Sequence, residues 1–372
     1  MSFDREREFP VVKSLLYLNH AAVAPLPRVA GEAIQRFATD AMEFGSLHYG
    51  EWMQACERVR TGAAQLIGAS SREIALIKNT SEGIATVQMG LAWRPGDVVV
   101  AFREEFPANY YCWKLLEERQ GCTVRWLSIY DPLEEIEKAA RGARLLAISW
   151  VNYLSGHRVD LQAIGDICRR HNVFYFVDAI QGMGAFPLDV KRCGIHALAA
   201  DGHKWMLGPE GWGVLYVDHA VQDEIFPVEF GWTTVKNWAD YASRDMTLRP
   251  DAGRYEPGTL NVVGSFALAA SLELLLARGL PTISQEVLAL SRRLAEGLSA
   301  RGFELMRPWE PSTASGIVSC RREGADSNRL VAELKSRNIL AAPRQGWVRL
   351  SPHFYQSEQE MDHLVDTLAS LA

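Results

Sequence analysis

The chain has few features that point to a nucleic acid or a membrane as its partner. Its 39 lysine and arginine residues are outnumbered by 45 aspartate and glutamate residues, for a formal charge of −6. A basic nucleic-acid-binding surface, or affinity for an acidic membrane surface, is therefore not indicated. No apolar run approaches the roughly 18 residues of a membrane helix. The first residues are charged from Asp4 onward and lack the apolar core of a signal peptide.

Cysteine is also sparse. The six cysteines form no CxxC pair and no metal-ligand spacing; they lie at positions 56, 112, 122, 168, 193 and 320. We therefore expect no bound metal and a reduced, cytoplasmic protein. Repeats, low-complexity stretches and blocks of like charge are missing as well. What is present is ordinary globular composition, 48% hydrophobic and 23% charged, in 372 residues, enough for two domains with their own cores.

Short apolar runs alternate with amphipathic stretches through the first two thirds of the chain. This alternation predicts βαβ units and a mostly parallel sheet covered on both faces, with ligands bound at the carboxyl ends of its strands. Asn79, Asn152, Asp178 and Asp201 fall at or just after such ends. The predicted strands are Glu73–Ile77, Asp97–Phe102, Thr123–Ile129, Arg144–Trp150, Val173–Asp178, Ala197–Asp201 and Trp212–Val217.

The pattern changes after Pro257, where two long helices are predicted, over 266–277 and 284–301. Shorter strands and helices follow, with a last helix from about Glu358, which is typical of a smaller α+β unit. We expect a large domain over residues 15–256. The small domain would then comprise residues 1–14 and 257–372.

Lys204 lies where a solvated lysine is not expected, in the sequence ADGHKWMLGP of residues 200–209. A desolvated amine loses its proton more easily and can attack a carbonyl. Upstream, the strand-like run VFYFV ends in Asp178, a carboxylate that could hold a pyridine nitrogen in its protonated, electron-withdrawing form. A surface lysine and a capping aspartate are the plain alternatives. At this spacing, the pair indicates Schiff-base chemistry.

Seven short motifs lie along nearly the whole chain: YLNHAA from residue 17, NTSEG from 79, EFPAN from 105, VDAIQ from 177, GHKW from 202, EPGT from 256 and VRLS from 348. In this order and spacing, the chain resembles the class V aminotransferases. These pyridoxal-phosphate (PLP) enzymes include cysteine desulfurases and isopenicillin-N-epimerase-like enzymes. The resemblance implies the type I PLP-dependent transferase fold, with a large domain around a mostly parallel seven-stranded sheet and a smaller α+β C-terminal domain.

The resemblance also implies which residues hold PLP. Lys204 would bond to the cofactor and Asp178 would pair with its ring nitrogen. Thr80 and Ser81, at a helix start suited to phosphate, would bind the phosphate together with His203. Asn79 or Thr80 could instead be a simple helix cap, and His203 could be a core histidine. Gln181 would contact the phenolic oxygen.

Two positions leave alternatives open. Phe106 stands where many desulfurases place a histidine that stacks on the pyridine ring, and it provides a flat face without a proton; it could equally be a buried core phenylalanine. Asn152 and Tyr153 match the loop with another contact to the phenolic oxygen. Either residue could make that contact.

Substrate binding is assigned chiefly to Arg349. Strand alternation places its side chain opposite Val348 and Leu350, and the resemblance implies that it holds the substrate's α-carboxylate; a surface arginine is the alternative. Asn19 and His20 would approach the substrate. Gly258 and Thr259 resemble a segment that reaches the neighbouring subunit's phosphate, which implies a homodimer.

The expected activity is PLP chemistry at Cα of a small amino acid or amine, as an aminotransferase, a C–S or β-lyase, or an epimerase. Lys204 and Asp178 are the expected catalytic residues. A cysteine desulfurase is disfavoured because residues 340–346, LAAPRQG, contain no cysteine where that enzyme has its nucleophile. A non-catalytic protein that keeps this fold is the second alternative.

Overall fold

The computed structural model describes residues 4–371. The strands are β1 Leu16–Tyr17, β2 Ile74–Ile77, β3 Val98–Phe102, β4 Thr123–Leu127, β5 Leu145–Ser149, β6 Phe174–Asp178, β7 Ala197–Asp201, β8 Gly213–Val217, β9 Glu304–Leu305, β10 Val318–Arg321, β11 Ile339–Leu340, β12 Ala342–Arg344 and β13 Trp347–Leu350. The α-helices are α1 Arg5–Glu8, α2 Arg28–Phe44, α3 Tyr49–Ile67, α4 Thr80–Gly90, α5 Pro107–Gln120, α6 Leu133–Ala140, α7 Leu161–His171, α8 Val262–Arg278, α9 Leu280–Ala300, α10 Ser327–Ser336 and α11 Glu358–Leu371.

The central sheet has seven strands in the order β2-β8-β7-β6-β5-β3-β4. Only β8 runs antiparallel to its neighbours, β2 and β7; the other pairs are parallel. Strands β5 to β8 are buried along their whole length, as expected for apolar runs covered on both faces. The predicted fold class is confirmed, and each of the seven predicted strands is present within two residues of its start and end.

Parallel pairing brings the carboxyl ends of three strands to one edge of this sheet. Ser149 at the end of β5 is in register with Asp178 at the end of β6. Strand β7 runs parallel to β6 and ends at Asp201, so Asp201 and the Lys204 loop lie at the same edge. The start of α4 lies beside them, because Thr80 Oγ1 accepts a hydrogen bond from Asp201 N at 3.0 Å.

A second, four-stranded antiparallel sheet has the order β12-β13-β10-β9. Val348 and Leu350 pack in its core with the second half of α9 and with α11. A two-residue turn, Gln345-Gly346, joins β12 to β13, with φ of 49° and 82°. Positive φ at both positions is the geometry of a tight type I′ hairpin.

The chain termini and the helix after Pro257 connect the two sheets. Phe9 stacks on Tyr355 with 3.8 Å between ring centroids, and β1 pairs with β11. Helix α8 packs on α2 and α3, and Leu268 shares one hydrophobic core with the central sheet. The division at residue 256 stays a prediction, and its residues 1–3 and 372 lie outside the described range.

No single helix within residues 4–371 is long and apolar enough to cross a membrane. The consecutive helices α8 and α9 meet that criterion only as a pair, and they meet at an angle of 85°.

Candidate active site

Asp178 is the central carboxylate of the sheet edge and is 3% exposed. Its Oδ1 accepts a hydrogen bond from Ile180 N at 3.0 Å, and its Oδ2 accepts one from Asn109 Nδ2 at 2.8 Å. Burial raises the pKa of Asp178, while the Ile180 amide, nearby Lys204 and Asn109 oppose that rise. The residue is thus supplied with donors that favour a buried anion.

Lys204 follows β7 in a loop against the same edge. Burial lowers the pKa of its amine to about 8; Arg349 adds to this effect, while Asp178 and Asp201 oppose it. The Nζ atom lies 5.9 Å from the centroid of the Phe106 ring. An amine with a pKa close to neutrality is suited both to attack on a carbonyl and to general-base work.

Thr80 and His203 lie at one end of this site. Thr80 is buried at the first position of α4, whereas Ser81 is exposed. Asn79 is the helix cap, because its Oδ1 accepts from Glu82 N at 2.9 Å. Burial, with a contribution from Lys204, lowers the pKa of His203 to about 4. A neutral imidazole and a helix N-terminus together suit a phosphate group.

Phe106 lies at the entrance of the site, directly before α5. It is 49% exposed, and its ring packs edge-on against Tyr153 with 5.3 Å between centroids. The buried-core alternative for Phe106 is therefore wrong. The ring is free to lie against a flat ligand, to which it can donate no proton.

The choice between Asn152 and Tyr153 follows from their hydrogen bonds. Asn152 Nδ2 donates to Glu104 O at 2.7 Å, and its Oδ1 accepts from Leu154 N and from the amide and hydroxyl of Ser155. This side chain is fully used in shaping its own loop. Tyr153 accepts a hydrogen bond from Gln345 Nε2 at its hydroxyl, at 2.9 Å, so the geometry favours Tyr153 as the residue that contacts a ligand.

Arg349 is 2% exposed on β13, so the surface-arginine alternative is wrong. Its Nη1 donates to Tyr153 O at 2.7 Å, while its buried Nε has no partner among residues 4–371. Burial, with a smaller effect of Arg344, lowers the pKa of Arg349 to about 10. A buried guanidinium with unused donors suits a carboxylate ligand.

Three other predicted residues lie in or beside the site, but hydrogen bonds within the protein occupy two of them. His20 is fully buried, with Nδ1 2.8 Å from Ser351 O and Nε2 2.7 Å from the Tyr355 hydroxyl. It fixes the N-terminal segment instead of making the predicted substrate contact. Gln181 donates to Ala21 O at 3.0 Å and accepts from Trp205 Nε1 at 2.8 Å. Asn19 pairs with Ser351, and its Oδ1 has no hydrogen-bond partner among the described residues.

Thr259 is exposed and follows Gly258, which lies against Trp232. Its predicted contact is with another subunit's phosphate, so this role stays a prediction.

Unpaired buried atoms show that the site fits a polar ligand. Asn19 Oδ1, Asn109 Oδ1, Asp201 Oδ1, His203 Nδ1 and Arg349 Nε are all buried with no hydrogen-bond partner within the described range. Buried polar atoms are nearly always paired in folded proteins, and three of these residues, Asp201, His203 and Arg349, interact electrostatically with Lys204, so their unpaired atoms need an explanation. A ligand with an anionic group, a ring nitrogen and a carbonyl carbon fits the residues present.

Sequence reasoning missed a contribution from Glu105, Asn109 and Ser149. Glu105 and Asn109 belong to the recognised motif EFPAN, and Ser149 ends a predicted strand. In the structure Asn109 donates to Asp178, and Ser149 and Glu105 are connected to Asp178 through Asn109. Their position at strand ends and in a shared motif was the only available signal, because the contacts link residues 40 or more positions apart.

The fold and site define a PLP-dependent enzyme, and comparison with known proteins agrees. Residues 16–362 match the family model described as Aminotransferase class-V. The chain therefore belongs to the class V aminotransferase family, as its motifs predicted, and PLP is its cofactor. A relative described as an uncharacterised aminotransferase YcbU, from Bacillus subtilis strain 168, is 28% identical over 363 residues, covering 97% of this chain and 96% of the relative.

Solved structures give the same result. The apo cysteine desulfurase of Thermococcus onnurineus NA1 is 26% identical with a TM-score of 0.92, covering 99% of this chain and 97% of that chain. The cystine C–S lyase C-DES, solved with its product cysteine persulfide, is 25% identical with a TM-score of 0.91, covering 98% of this chain and 100% of that chain. A variant of C-DES has glycine covalently linked to the PLP cofactor, and its structure has a TM-score of 0.92 at 25% identity over the full length of both chains.

Proposed function

We propose that this enzyme binds an α-amino acid through its carboxylate at Arg349 and uses Lys204 to move the proton on Cα. The strongest support is that two residues lie close together. Arg349 is buried and its Nε has no partner within the described range, and the nearby Lys204 has a lowered pKa. Arg349 is close enough to contribute to that lowering. An amine without a carboxylate would leave the guanidinium uncompensated, so an amino acid is the favoured substrate.

Each part of the cofactor would be held by different site residues. Lys204 would bond to its aldehyde carbon, Asp178 would hold its ring nitrogen, and Phe106 would cover a ring face. Thr80, Ser81 and His203 would bind its phosphate. When bound, PLP withdraws electron density from Cα and makes that C–H bond acidic.

Lys204 is the base in this proposal. A site with a single base suits some of the possible reactions at Cα better than others. Epimerisation by two opposed groups needs a second proton carrier near Cα. Phe106, whose ring lies 5.9 Å from Lys204 Nζ, cannot carry a proton, and the Tyr153 hydroxyl beside that ring would have to serve instead. Transamination and C–S or β-elimination, which need proton transfer by a single group, are therefore favoured over epimerisation. The likeness to C-DES supports the lyase branch.

A cavity of about 680 Å³ beside the site provides room for the substrate's side chain. Its lining includes Tyr153, whose backbone carbonyl accepts from Arg349, together with Gln345, Tyr130, Arg103 and Arg307. This volume is within the usual range for small-molecule pockets. It favours an amino acid whose side chain extends beyond Cβ, such as a thioether or a disulfide, over the smallest amino acids.

The substrate class can be tested by mixing purified holoenzyme with a panel of amino acids and following its visible absorbance and products. Carboxylate-bearing substrates should change the spectrum, and the matched amines without a carboxylate should not. Equal responses to both series would contradict the proposal.

Arg349→Ala should weaken amino-acid binding by several tens-fold or more, since losing one partner of a buried charge pair costs about 2–5 kcal/mol. Cofactor content should stay near normal. Arg349→Lys should restore binding only in part, because an ammonium cannot reproduce the planar fork. The matched control is Arg301→Ala, directly after α9, where the guanidinium is paired with Asp366 at the surface. Spectral titration measures the affinity; unchanged binding in Arg349→Ala would refute the assignment.

The structure also argues against a desulfurase. The stretch without cysteine, residues 340–346, forms short strands and the tight turn at Gln345 and Gly346. Burial raises the pKa of all six thiols. For Cys320 the value is about 12, so a reactive thiolate is disfavoured.

None of the six cysteines should be required for turnover. We expect each single Cys→Ser variant that folds to keep activity within a few-fold of the parent. Activity assays and mass spectrometry after turnover measure this. A folded variant without activity, or a persulfide trapped on one cysteine, would instead support a desulfurase mechanism.

We also propose a homodimer in which Gly258 and Thr259 reach the neighbouring site. Several aromatic side chains near this segment are exposed, among them Trp232 and Tyr241, and apolar surface of this kind often marks an interface. Light scattering of the purified protein tests the assembly: a dimer mass is expected, and a monomer that retains full activity would contradict it. Cytoplasmic location stays a prediction.

A further inference from the structure

Three buried side chains form a hydrogen-bond chain that ends at Asp178. Ser149 donates to Glu105 twice, from its backbone N to Oε1 at 2.6 Å and from its hydroxyl to Oε2. Asn109 Nδ2 lies 3.4 Å from Ser149 Oγ and 2.8 Å from Asp178 Oδ2. Glu105, Ser149 and Asn109 are each less than 8% exposed, and the reaction described above gives them no role.

The chemistry of the two ends fixes the direction of this chain. Burial raises the pKa of Glu105 to about 7, against the opposing effect of the two Ser149 donors. Above that pH the ionised carboxylate can only accept hydrogen bonds, so the single hydroxyl hydrogen of Ser149 points at Glu105. Ser149 Oγ then has only lone pairs for Asn109, which must turn its NH2 group toward the serine. The second hydrogen on Asn109 Nδ2 is thereby directed at Asp178.

This orientation has a visible cost at Asn109. Its Oδ1 is buried with no partner in the described part of the chain, which is unfavourable for a carbonyl oxygen. Asp178, in turn, needs donors, because burial favours its neutral form. A fixed donor at Oδ2 therefore helps to keep the anion that a protonated pyridine nitrogen requires.

We propose that Glu105 is a positioning residue that acts through Ser149 and Asn109 to keep a hydrogen-bond donor on Asp178. The inference rests on the proposed contact of Asp178 with the cofactor's ring nitrogen. It is independent of Arg349, the substrate and the reaction branch.

Glu105→Gln should reverse the chain, although it is nearly isosteric. The fixed Ser149 backbone N–H requires the new side chain's oxygen, so its NH2 group must face the Ser149 hydroxyl. That hydroxyl then donates to Asn109, whose amide must turn its Oδ1 inward. An oxygen facing Asp178 Oδ2 favours a proton on the aspartate, and this proton comes from the ring nitrogen. Glu105→Ala removes the acceptor without imposing the reverse direction, so its effect should be smaller.

The test uses holoenzyme loaded with ¹⁵N-labelled PLP and reads the ring-nitrogen signal by NMR at about pH 8.5, where Glu105 is ionised. In the parent we expect the protonated position. Glu105→Gln should move the signal to the unprotonated position, and Glu105→Ala should move it less. In a Ser149→Ala background, Glu105→Gln should cause no further shift. Thermal unfolding should show the opposite order, with Glu105→Ala less stable than Glu105→Gln, because truncation leaves a cavity.

Three results would overturn the proposal: a parent-like signal in Glu105→Gln, an equal or larger shift in Glu105→Ala, or a Glu105→Gln shift that persists without the Ser149 hydroxyl. Asp178→Asn distinguishes this failure from a failure of the Asp178 contact itself. If Asp178→Asn moves the signal and Glu105→Gln does not, only the role of Glu105 is wrong. If Asp178→Asn leaves the signal unchanged, the contact and the role of Glu105 both fail.

Discussion

Lys204→Ala is expected to abolish turnover, with a loss of roughly 10²–10⁴-fold or more, the range for a positioned acid–base group. The reason is the environment of the amine. Burial lowers the pKa of the Lys204 amine to about 8, so part of it is unprotonated at neutral pH. Asp178 and Asp201 lie nearby and stabilise the charged form once the amine has taken up a proton. An alanine side chain can neither bond covalently to the cofactor nor transfer the proton.

The measurement is steady-state activity together with cofactor content after gel filtration. PLP should remain bound in part, through the phosphate contacts and Asp178, but it should be released more readily because the covalent bond is lost. Lys114→Ala is a suitable control, since Lys114 lies on α5 and is paired with Glu117 at the surface. Activity of Lys204→Ala within tenfold of the parent would show that another group is the base.

Asp178→Asn is expected to be the second most damaging substitution. A hydrogen bond that involves a charged group contributes about 1.5–3 kcal/mol, so replacing the anion with an amide should slow turnover by roughly 10–100-fold or more. The new side chain also meets two donors, Ile180 N and Asn109 Nδ2, with only one oxygen.

That mismatch predicts a modest loss of stability alongside the catalytic defect. Comparing kcat with the midpoint of thermal unfolding separates the two effects. A large loss of kcat with only a modest fall in the unfolding midpoint is the result that supports an electronic role for Asp178. A variant that keeps activity within a few-fold of the parent would remove the residue from the mechanism.

The sequence was sufficient for the central sheet because its strands are continuous apolar runs. Ala197–Asp201 has the predicted bounds, and the others differ by one or two residues. Burial from both faces makes such runs unambiguous. The two-residue strands β1 and β11 could not be predicted, because a parallel pair between Leu16 and Ile339 depends on how the two sheets come together.

The site was predictable to the extent that each residue's role depends on its own motif. Lys204, Asp178 and Arg349 all lie at one edge of the central sheet or against it. His20 shows the limit: its motif matched, but its two ring nitrogens are occupied by Ser351 and Tyr355, residues more than 300 positions away. Glu105 is the opposite case, because no role was predicted for it and the structure connects it to the site. Its contact with Ser149 gives it a place in the site that local sequence did not indicate.

The central claim, that Lys204 bonds covalently to PLP, can be tested directly by borohydride reduction followed by peptide mapping. The purified protein should absorb visible light, lose that band on reduction, and retain one cofactor mass on the peptide that contains Lys204. The Lys204→Ala variant should retain none. A label on a different lysine, or a reducible bond that survives in Lys204→Ala, would contradict the account.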